Sequence, residues 1–156
     1  MNLKTLTPAS PHDGSFVADA SRPPVVPRTR RILVADDDAL IRQLISSALS
    51  RNGFEVNAVS DGEQVWEALC HEHYDLLVTD NEMPRLTGTK LIERIRDAGM
   101  SLPVIVASGT FSMEWARNNP QLQIAAVIPK PFGLLELLDA VRNVLASCHR
   151  SCNANN

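Results

Sequence analysis

Stretches of consecutive apolar residues alternate along this chain with stretches in which apolar residues recur every three or four positions. Uninterrupted apolar runs are typical of strands buried on both faces, and the wider spacing is typical of amphipathic helices. From Arg31 onward the pattern predicts five strands and five helices in strict alternation. The predicted strands are RILVA, FEVNAV, YDLLVTD, LPVIVAS and IAAVI, and the predicted helices are ALIRQLISSALSRNG, DGEQVWEALCHEH, TKLIERIRDAG, FSMEWARNN and GLLELLDAVRNVLAS.

This alternation predicts an α/β fold in which helices cover both faces of a parallel sheet. Right-handed crossovers leave few topologies, and the doubly wound order 2-1-3-4-5 is one of the two common ones. We therefore expect a doubly wound, five-stranded parallel sheet in that order. Ligands of such sheets bind beyond the carboxyl ends of the strands, at the point where the strand order reverses. For this order, that point lies between the first and third strands.

Composition divides the chain into a folded region and two terminal segments. Residues 1–29 hold half of the ten prolines and show little apolar periodicity, so we expect a disordered tail there. We expect the folded domain at residues 30–147 and a flexible, polar tail at residues 148–156. The hydrophobic fraction of 44% and the charged fraction of 21% are typical of a soluble globular protein.

Charge, apolar run length and cysteine usage narrow the classes of function. A formal net charge of −3 argues against nucleic acid as the main partner, because phosphate binding needs a concentrated basic surface. No apolar run approaches the length of a membrane span, and the N-terminus carries no visible signal peptide. The three cysteines follow no disulfide framework, so we expect reduced thiols in a cytoplasmic protein.

Aspartates follow the first and third strands, which flank the predicted reversal point. Asp36, Asp37 and Asp38 come directly after RILVA, and Asp80 closes YDLLVTD. Carboxylates that converge on one crevice repel each other, and Mg²⁺ with hard oxygen ligands would remove that conflict. A simpler use of aspartate is to cap a helix, and we assign Asp38 to the cap or first turn of the following helix. A role as helix cap for Asp38 does not explain why Asp36, Asp37 and Asp80 are present at this edge.

A hydroxyl and a cation are expected at the same edge of the sheet. Ser108 ends the fourth strand, and Lys130 follows the fifth between two prolines. Because an aspartate is ionised at neutral pH, Asp80 can attack phosphorus without a general base. Mg²⁺, the Ser108 hydroxyl and the Lys130 ammonium would then neutralise charge on the phosphoryl oxygens. The sequence therefore predicts a site for a phosphoryl group.

Four motifs, VADDD, LLVTDNEMPRLTG, PVIVASG and PKPF, occur in an order that resembles the receiver domain of two-component response regulators. The resemblance covers about residues 31–147 and implies the flavodoxin-like receiver fold. It implies that Asp80 is the phosphoacceptor and a Mg²⁺ ligand. It also implies that Asp37 binds Mg²⁺ directly, Asp36 through water, and Glu82 through its backbone carbonyl.

The same resemblance assigns roles to the other strand ends and to the partners. Ser108 would bond a phosphoryl oxygen and move on activation, and Lys130, joined to Pro131 by a cis peptide bond, would pair with the phosphoryl group. A histidine kinase or a histidine phosphotransfer protein would be the donor. We expect a stand-alone, chemotaxis-type receiver that is a phosphoprotein rather than an enzyme, and that signals by phosphorylation-dependent contact with an unknown protein target.

Two departures from the family pattern bear on how the signal is passed on. Val127 occupies the position, three residues before the lysine, where the family often has an aromatic ring that swings inward on activation. The segment NNPQLQIAAVI lacks the Gly-Ala pair common before the fifth strand, so we expect the adjoining loop and fourth helix to be shaped differently. We also expect the Glu82 side chain to lie near the site and to compete for Lys130.

Two alternative functions remain open at this point. A receiver-shaped interaction module that works without phosphorylation would fit Val127, because the usual aromatic readout is missing. A Mg²⁺-dependent aspartyl phosphatase resembling the haloacid dehalogenases would carry its nucleophile on the first strand, in a DxDG-like motif. Here the aspartates of that strand lead into ALIR instead.

Overall fold

The computed structural model describes residues 28–153. The strands are β1 (Arg31–Ala35), β2 (Glu55–Val59), β3 (Leu76–Thr79), β4 (Val104–Ser108) and β5 (Ile124–Pro129). The helices are α1 (Ala39–Arg51), α2 (Gly62–His71), α3 (Gly88–Asp97), α4 (Met113–Asn118) and α5 (Leu134–Asn153), and a 3-10 helix (Pro120–Leu122) precedes β5. The tail expected at residues 1–29 lies outside the described residues apart from Arg28 and Thr29, as do residues 154–156.

All strand pairs are parallel, and their order is β2-β1-β3-β4-β5, which confirms the predicted fold. Ala35, the last residue of β1, is in register with Thr79, the last residue of β3. The residues that follow these two strands therefore leave the sheet side by side. This is the reversal point at which the sequence predicted a ligand site.

Two apolar cores lie on opposite faces of the sheet because successive strand residues point to opposite sides. Ile32 and Val34 of β1 pack into the core formed with α1 and α5, whereas Leu33 packs into the core formed with α2 and α3. Each fully buried leucine or isoleucine contributes about 1.5–3 kcal/mol to stability relative to an exposed one. This burial on both faces explains the uninterrupted apolar runs in the sequence.

Short polar side chains begin the helices that leave the carboxyl edge of the sheet. Asp38 caps α1 by accepting hydrogen bonds from the backbone N–H groups of Leu40 and Ile41, and Asp61 caps α2 in the same way. The capping role of Asp38 agrees with the sequence analysis. Gly53, with φ of +86°, ends the turn after α1 in the left-handed conformation that favours glycine.

The last helix is longer than expected, because α5 continues past Ser147 to Asn153. The predicted end at Ser147 is therefore wrong. The residues that follow, CHRSCN, contain neither glycine nor proline, so nothing in the local sequence stops the helix. No helix within residues 28–153 is both long enough and apolar enough to cross a membrane.

The segment between β4 and β5, for which the sequence analysis expected a shape different from the family's, consists of α4 and the 3-10 helix. Helix α4 has only six residues and is followed by the 3-10 turn that begins at Pro120. Gln123 adopts a left-handed conformation with φ of +48°, and the pairing of β4 with β5 shifts register between Val104 and Ile105. Leu122 is buried beneath this turn, and this burial fixes the turn against the core.

An ion-pair cluster fixes the start of the folded region at the amino edge of the sheet. The Asp75 carboxylate accepts hydrogen bonds from the backbone N–H of Arg31 at 2.8 Å and from the Arg30 guanidinium at 2.8 Å. Arg28 contacts the same carboxylate at 3.4 Å. Burial alone would raise the pKa of Asp75, but these hydrogen bonds and positive charges outweigh burial and lower it.

Candidate functional site

The turn after β1 sends its three carboxylates in different directions. Asp38 faces the N-terminus of α1, whereas Asp36 is only 1% exposed and accepts a hydrogen bond from the Asp38 backbone N–H at 2.9 Å. Asp37 is exposed between them. The repulsion implied by three consecutive aspartates is therefore reduced, because the helix terminus takes one of the charges.

Asp80 leaves the end of β3 beside this turn. Its backbone N–H donates to the Ala35 carbonyl at 2.8 Å, which ties the end of β3 to the end of β1. Its side chain is nearly buried, and Oδ1 accepts a hydrogen bond from the Glu82 backbone N–H at 3.1 Å. Asp36, Asp37 and Asp80 each offer an oxygen, and these oxygens lie within 4.8 Å of one another.

Lys130 reaches this acidic triad (Asp36, Asp37 and Asp80) from the end of β5. Its Nζ lies 2.8 Å from Asp36 Oδ2 and 2.6 Å from Asp80 Oδ2, and its backbone N–H donates to the Ser108 carbonyl at 3.0 Å. The peptide bond between Lys130 and Pro131 is cis, as the resemblance implied. Burial alone would lower the pKa of Lys130, but its hydrogen bonds to the two carboxylates outweigh burial and raise it.

The electrostatics of the triad fit a hard divalent cation. Burial raises the pKa of Asp36 above its usual range, repulsion from Asp80 adds to the rise, and Lys130 opposes it. One ammonium therefore offsets only part of the negative charge of three converging carboxylates. The donor set consists of oxygen atoms alone, partly buried and open on the Asp37 side, which suits Mg²⁺ because Mg²⁺ prefers carboxylates and retained waters.

Ser108 lies at the same edge of the sheet but its hydroxyl points to the following loop. The side chain is fully buried, and Oγ accepts a hydrogen bond from the Thr110 backbone N–H at 3.2 Å. Oγ also lies 3.2 Å from the Thr110 hydroxyl. Ser108 therefore lies at the predicted edge of the sheet. Within the described residues, its hydroxyl forms hydrogen bonds with Thr110.

The Glu82 side chain does not take the expected place beside Lys130. It is exposed, and the ion pairs of Lys130 within the described part of the chain are those with Asp36 and Asp80. The expected competition for Lys130 is therefore not present in this structure. The backbone N–H of Glu82 does contact the site, through its hydrogen bond to Asp80.

Arg42 is a site residue that the sequence analysis missed. Its guanidinium, on a half-buried side chain, donates to the backbone carbonyls of Asp36 at 2.6 Å and Asp37 at 3.4 Å. Arg42 belongs to the first turn of α1, and helical side chains point back toward the helix N-terminus. The sequence could have indicated this contact, because an arginine in the first turn of a helix points toward the turn that precedes the helix.

The sequence of this chain is similar to those of known response regulators. The sequence model of the response regulator receiver domain matches residues 32–142. The DNA-binding transcriptional regulator NtrC of Rhizobium meliloti is 38% identical over 119 residues, which are 76% of this chain and 25% of NtrC. The response regulator MprA of Mycobacterium leprae is 35% identical over 115 residues, which are 74% of this chain and 50% of MprA.

Solved structures show the same architecture. The receiver domain of the Francisella response regulator 1452 superposes with a TM-score of 0.72 at 29% identity, covering 77% of this chain and 99% of that one. The chemotaxis response regulator CheY4 of Vibrio cholerae has a TM-score of 0.69 at 24% identity, over 75% of this chain and 99% of its own, and shares the fold. Both structures match almost end to end, whereas the chain spans a quarter to a half of NtrC and MprA. This chain belongs to the response regulator receiver domain family.

Proposed function

We propose that this receiver accepts a phosphoryl group on Asp80 from the phosphohistidine of a histidine kinase or of a histidine phosphotransfer protein. One observation carries the proposal: the carboxylates of Asp36, Asp37 and Asp80 converge, and Lys130 lies against two of them. Receiver domains are phosphoacceptor signalling domains that take their phosphoryl group from histidine kinases. This convergence supports the proposal, because a phosphoryl acceptor needs a carboxylate beside positive charge.

In the proposed transfer, an ionised oxygen of Asp80 attacks phosphorus and forms the P–O bond of an acyl phosphate. The P–N bond to the donor imidazole breaks, and its electron pair stays on the imidazole nitrogen, which takes up a proton. The hydrogen bond from the Glu82 backbone N–H orients the Asp80 carboxylate. Lys130, 2.6 Å from Asp80, holds a positive charge where phosphoryl oxygens would arrive. We propose no substrate other than the phosphoryl donor, and the acyl phosphate on Asp80 is removed by hydrolysis.

We propose that Mg²⁺ is the cofactor of this transfer. The residues that would hold it are Asp36, Asp37 and Asp80, together with the backbone carbonyl of Glu82. When bound, Mg²⁺ would supply positive charge to the phosphoryl oxygens. The clustered carboxylate oxygens support this proposal, because a divalent cation offsets the repulsion that Lys130 leaves uncompensated.

We propose that Ser108 passes the signal to the loop that follows β4. To bond a phosphoryl oxygen, its hydroxyl has to give up its hydrogen bonds to Thr110, which are 3.2 Å long. Thr110 then loses a partner, and the loop leading to α4 changes conformation. Val127 is small and half-buried in β5, so this loop, rather than a ring on β5, would carry the change to a protein target.

An exposed apolar surface beside Lys130 is the place where we propose the phosphoryl donor docks. Leu40 and Leu44 of α1 are 77% and 52% exposed, and Leu135 of α5 is 78% exposed. Leu44 also lines a depression that continues to Lys130 and Phe132. A protein donor has to bring its phosphohistidine to Asp80, and this surface adjoins that path. The double variant Leu40→Ser/Leu44→Ser should slow transfer from a histidine kinase that phosphorylates the wild type, and leave transfer from acetyl phosphate unchanged.

The proposed function is tested by incubation with acetyl phosphate or phosphoramidate, with Mg²⁺ or EDTA, followed by intact mass spectrometry. We expect one phosphoryl adduct that requires Mg²⁺ and disappears in Asp80→Asn. The matched control is Asp97→Asn, which changes an exposed aspartate at the end of α3 and should leave the adduct intact. A folded wild-type protein that forms no adduct would contradict the proposal. It would favour an interaction module that works without phosphorylation.

A further inference from the structure

The loop that follows the proposed phosphoacceptor is fastened to the turn before α2. We call residues 81–87, between Asp80 and α3, the acceptor loop. Its Arg85 donates to one carboxylate oxygen of Asp61, a residue that is only 1% exposed. The other oxygen of Asp61 caps α2, accepting from the backbone N–H groups of Glu63 at 3.0 Å and Gln64 at 3.1 Å. One buried carboxylate therefore binds both a helix terminus and the acceptor loop.

The backbones of the two segments also touch. A Cβ atom added to Gly62 would lie 2.6 Å from the carbonyl oxygen of Leu86 and 2.8 Å from its Cβ. Such distances are too short for any side chain, so the glycine allows the acceptor loop to lie directly on the N-terminus of α2. The ion pair between Arg85 and Asp61 forms beside this backbone contact.

Arg85 has a backbone conformation that its residue type does not favour. Its φ is +64°, in the left-handed region where glycine and asparagine are preferred. A side chain at this position therefore works against the local backbone, and its ion pair with a buried carboxylate compensates for that. Asp61, in turn, needs a nearby cation because a buried, unpaired carboxylate is unfavourable.

The ends of the acceptor loop are tied to the site independently of Arg85. At its start, the Glu82 backbone N–H donates to Asp80 Oδ1 at 3.1 Å. At its end, the Gly88 N–H donates to the Asn81 carbonyl at 3.0 Å, and a Cβ on Gly88 would lie 2.4 Å from the Asp80 carbonyl oxygen. The middle of the loop is held by three contacts: Met83 is buried in the core, Leu86 packs on Gly62, and Arg85 pairs with Asp61. Displacing the middle would turn the peptide groups between the two ends.

We propose that Arg85 and Asp61 are positioning residues that set the cation affinity of the site by fixing the backbone of the acceptor loop at Glu82. This inference rests on the proposed function, in which the Glu82 carbonyl is a Mg²⁺ ligand. Neither residue touches the reacting carboxylate in this role. Outer residues that orient metal ligands typically change metal affinity about 10- to 100-fold when they are lost.

The test measures Mg²⁺ affinity by isothermal titration calorimetry in the full chain. Arg85→Gln and Asp61→Asn should each weaken Mg²⁺ binding by about tenfold, and Arg85→Lys, which keeps the charge, should recover part of the loss. Asp61→Asn keeps an oxygen that can cap α2, so this variant retains the helix start. Arg85→Gly removes the side chain and relieves the left-handed backbone; it separates the two effects, and we expect it to bind as weakly as Arg85→Gln.

The matched control is Arg94→Gln. Arg94 joins α3 to α2 through an exposed ion pair with Glu63 at 3.1 Å and lies over the Trp66 ring, so it fastens the same helix without binding Asp61 itself. This variant should keep wild-type Mg²⁺ affinity. A purely structural role of Arg85 would lower thermal stability without changing Mg²⁺ affinity, so melting curves are recorded for each variant.

A second readout separates binding from chemistry. With phosphoramidate as donor, the Mg²⁺ concentration for half-maximal phosphorylation should rise in Arg85→Gln by more than the limiting rate falls. Wild-type affinity in both Arg85→Gln and Arg85→Gly would overturn the inference while leaving the proposed function intact. A wild-type protein that binds Mg²⁺ but takes no phosphoryl group would contradict the proposed function alone, because the affinity comparison still holds. A wild-type protein that binds no Mg²⁺ would contradict both.

Discussion

Replacing Lys130 by methionine would remove the cation that bridges two nearly buried carboxylates. Lys130 Nζ lies 2.8 Å from Asp36 and 2.6 Å from Asp80, whose side chains are 1% and 8% exposed. At such separations a pair of unit charges attracts by roughly 6 kcal/mol at an effective dielectric constant of about 20, and the desolvation of the charges offsets most of this. Removing one partner of a buried ion pair typically costs about 3–5 kcal/mol. Methionine fits the apolar neighbours of Lys130, which include Ile41 and Phe132.

We expect Lys130→Met to lower Tm in EDTA at neutral pH by at least about 10 °C, since a domain of this size loses about 3–6 °C per kcal/mol. Circular dichroism melting curves measure this loss. Mg²⁺ should raise Tm more in the variant than in the wild type, because the ammonium no longer competes for the carboxylate oxygens. A cation at one hundred times its Kd adds about 2.7 kcal/mol of stability.

The control for this substitution is Lys90→Met, at an exposed lysine of α3. Exposed positions without buried partners usually change stability by no more than about 0.5 kcal/mol. Two results would refute the reasoning about Lys130. One is a variant that melts with the wild type in EDTA, and the other is an equal effect of Mg²⁺ on both proteins.

Two further perturbations follow from the same structure. The lowered pKa of Asp75 means that its stabilising effect is present above its unfolded pKa of about 3.9 and is lost as the pH falls through the folded pKa. The free energy of unfolding, measured with urea between neutral and acid pH, should therefore fall less steeply toward acid pH in Asp75→Asn than in the wild type. Ser108→Ala leaves the Thr110 N–H without its hydroxyl acceptor, so it should cost about 1–3 kcal/mol in urea unfolding and slow phosphorylation by phosphoramidate. Equal acid slopes, or an unchanged phosphorylation rate, would contradict these expectations.

The fold and the convergence of the site residues could be predicted because each depends on local sequence patterns. The apolar runs of β1, β3 and β4 are buried at almost every position, so their composition directly reports a sheet covered on both faces. Once the strand order is known, the residues after β1 and β3 must be neighbours. Asp36 and Asp80 therefore come together as the sequence indicated.

The contacts that hold the loops of the site were not predictable in the same way. The pair between Arg85 and Asp61 joins residues 24 positions apart, and it depends on the left-handed backbone of Arg85, which no residue-type preference favours there. The expected approach of Glu82 to Lys130 was wrong for a related reason. The orientation of an exposed side chain in a loop depends on the tertiary positions of its neighbours, which sequence spacing does not give.

The end of α5 shows a different limit of sequence patterns. The polar residues after Ser147 indicated fraying, yet the helix continues to Asn153. Polar composition indicates exposure to solvent and does not end a helix, whereas glycine or proline would. Where a helix continues without apolar periodicity, the only sequence indication is that glycine and proline are absent. This indication is weaker than a repeating pattern of apolar residues that pack against the core.

The cluster around Asp75 determines how this receiver can be attached to other molecules. Because Arg28 and Arg30 bind a carboxylate at the amino edge of the sheet, the chain joins the domain about one strand length, roughly 17 Å, from the edge that carries Asp80. A fluorophore, affinity tag or surface linker placed before Arg28 would be coupled at the opposite end from the acidic triad. Immobilisation through that end would leave the carboxyl edge facing solution, which suits this protein to surface-based measurements of donor binding.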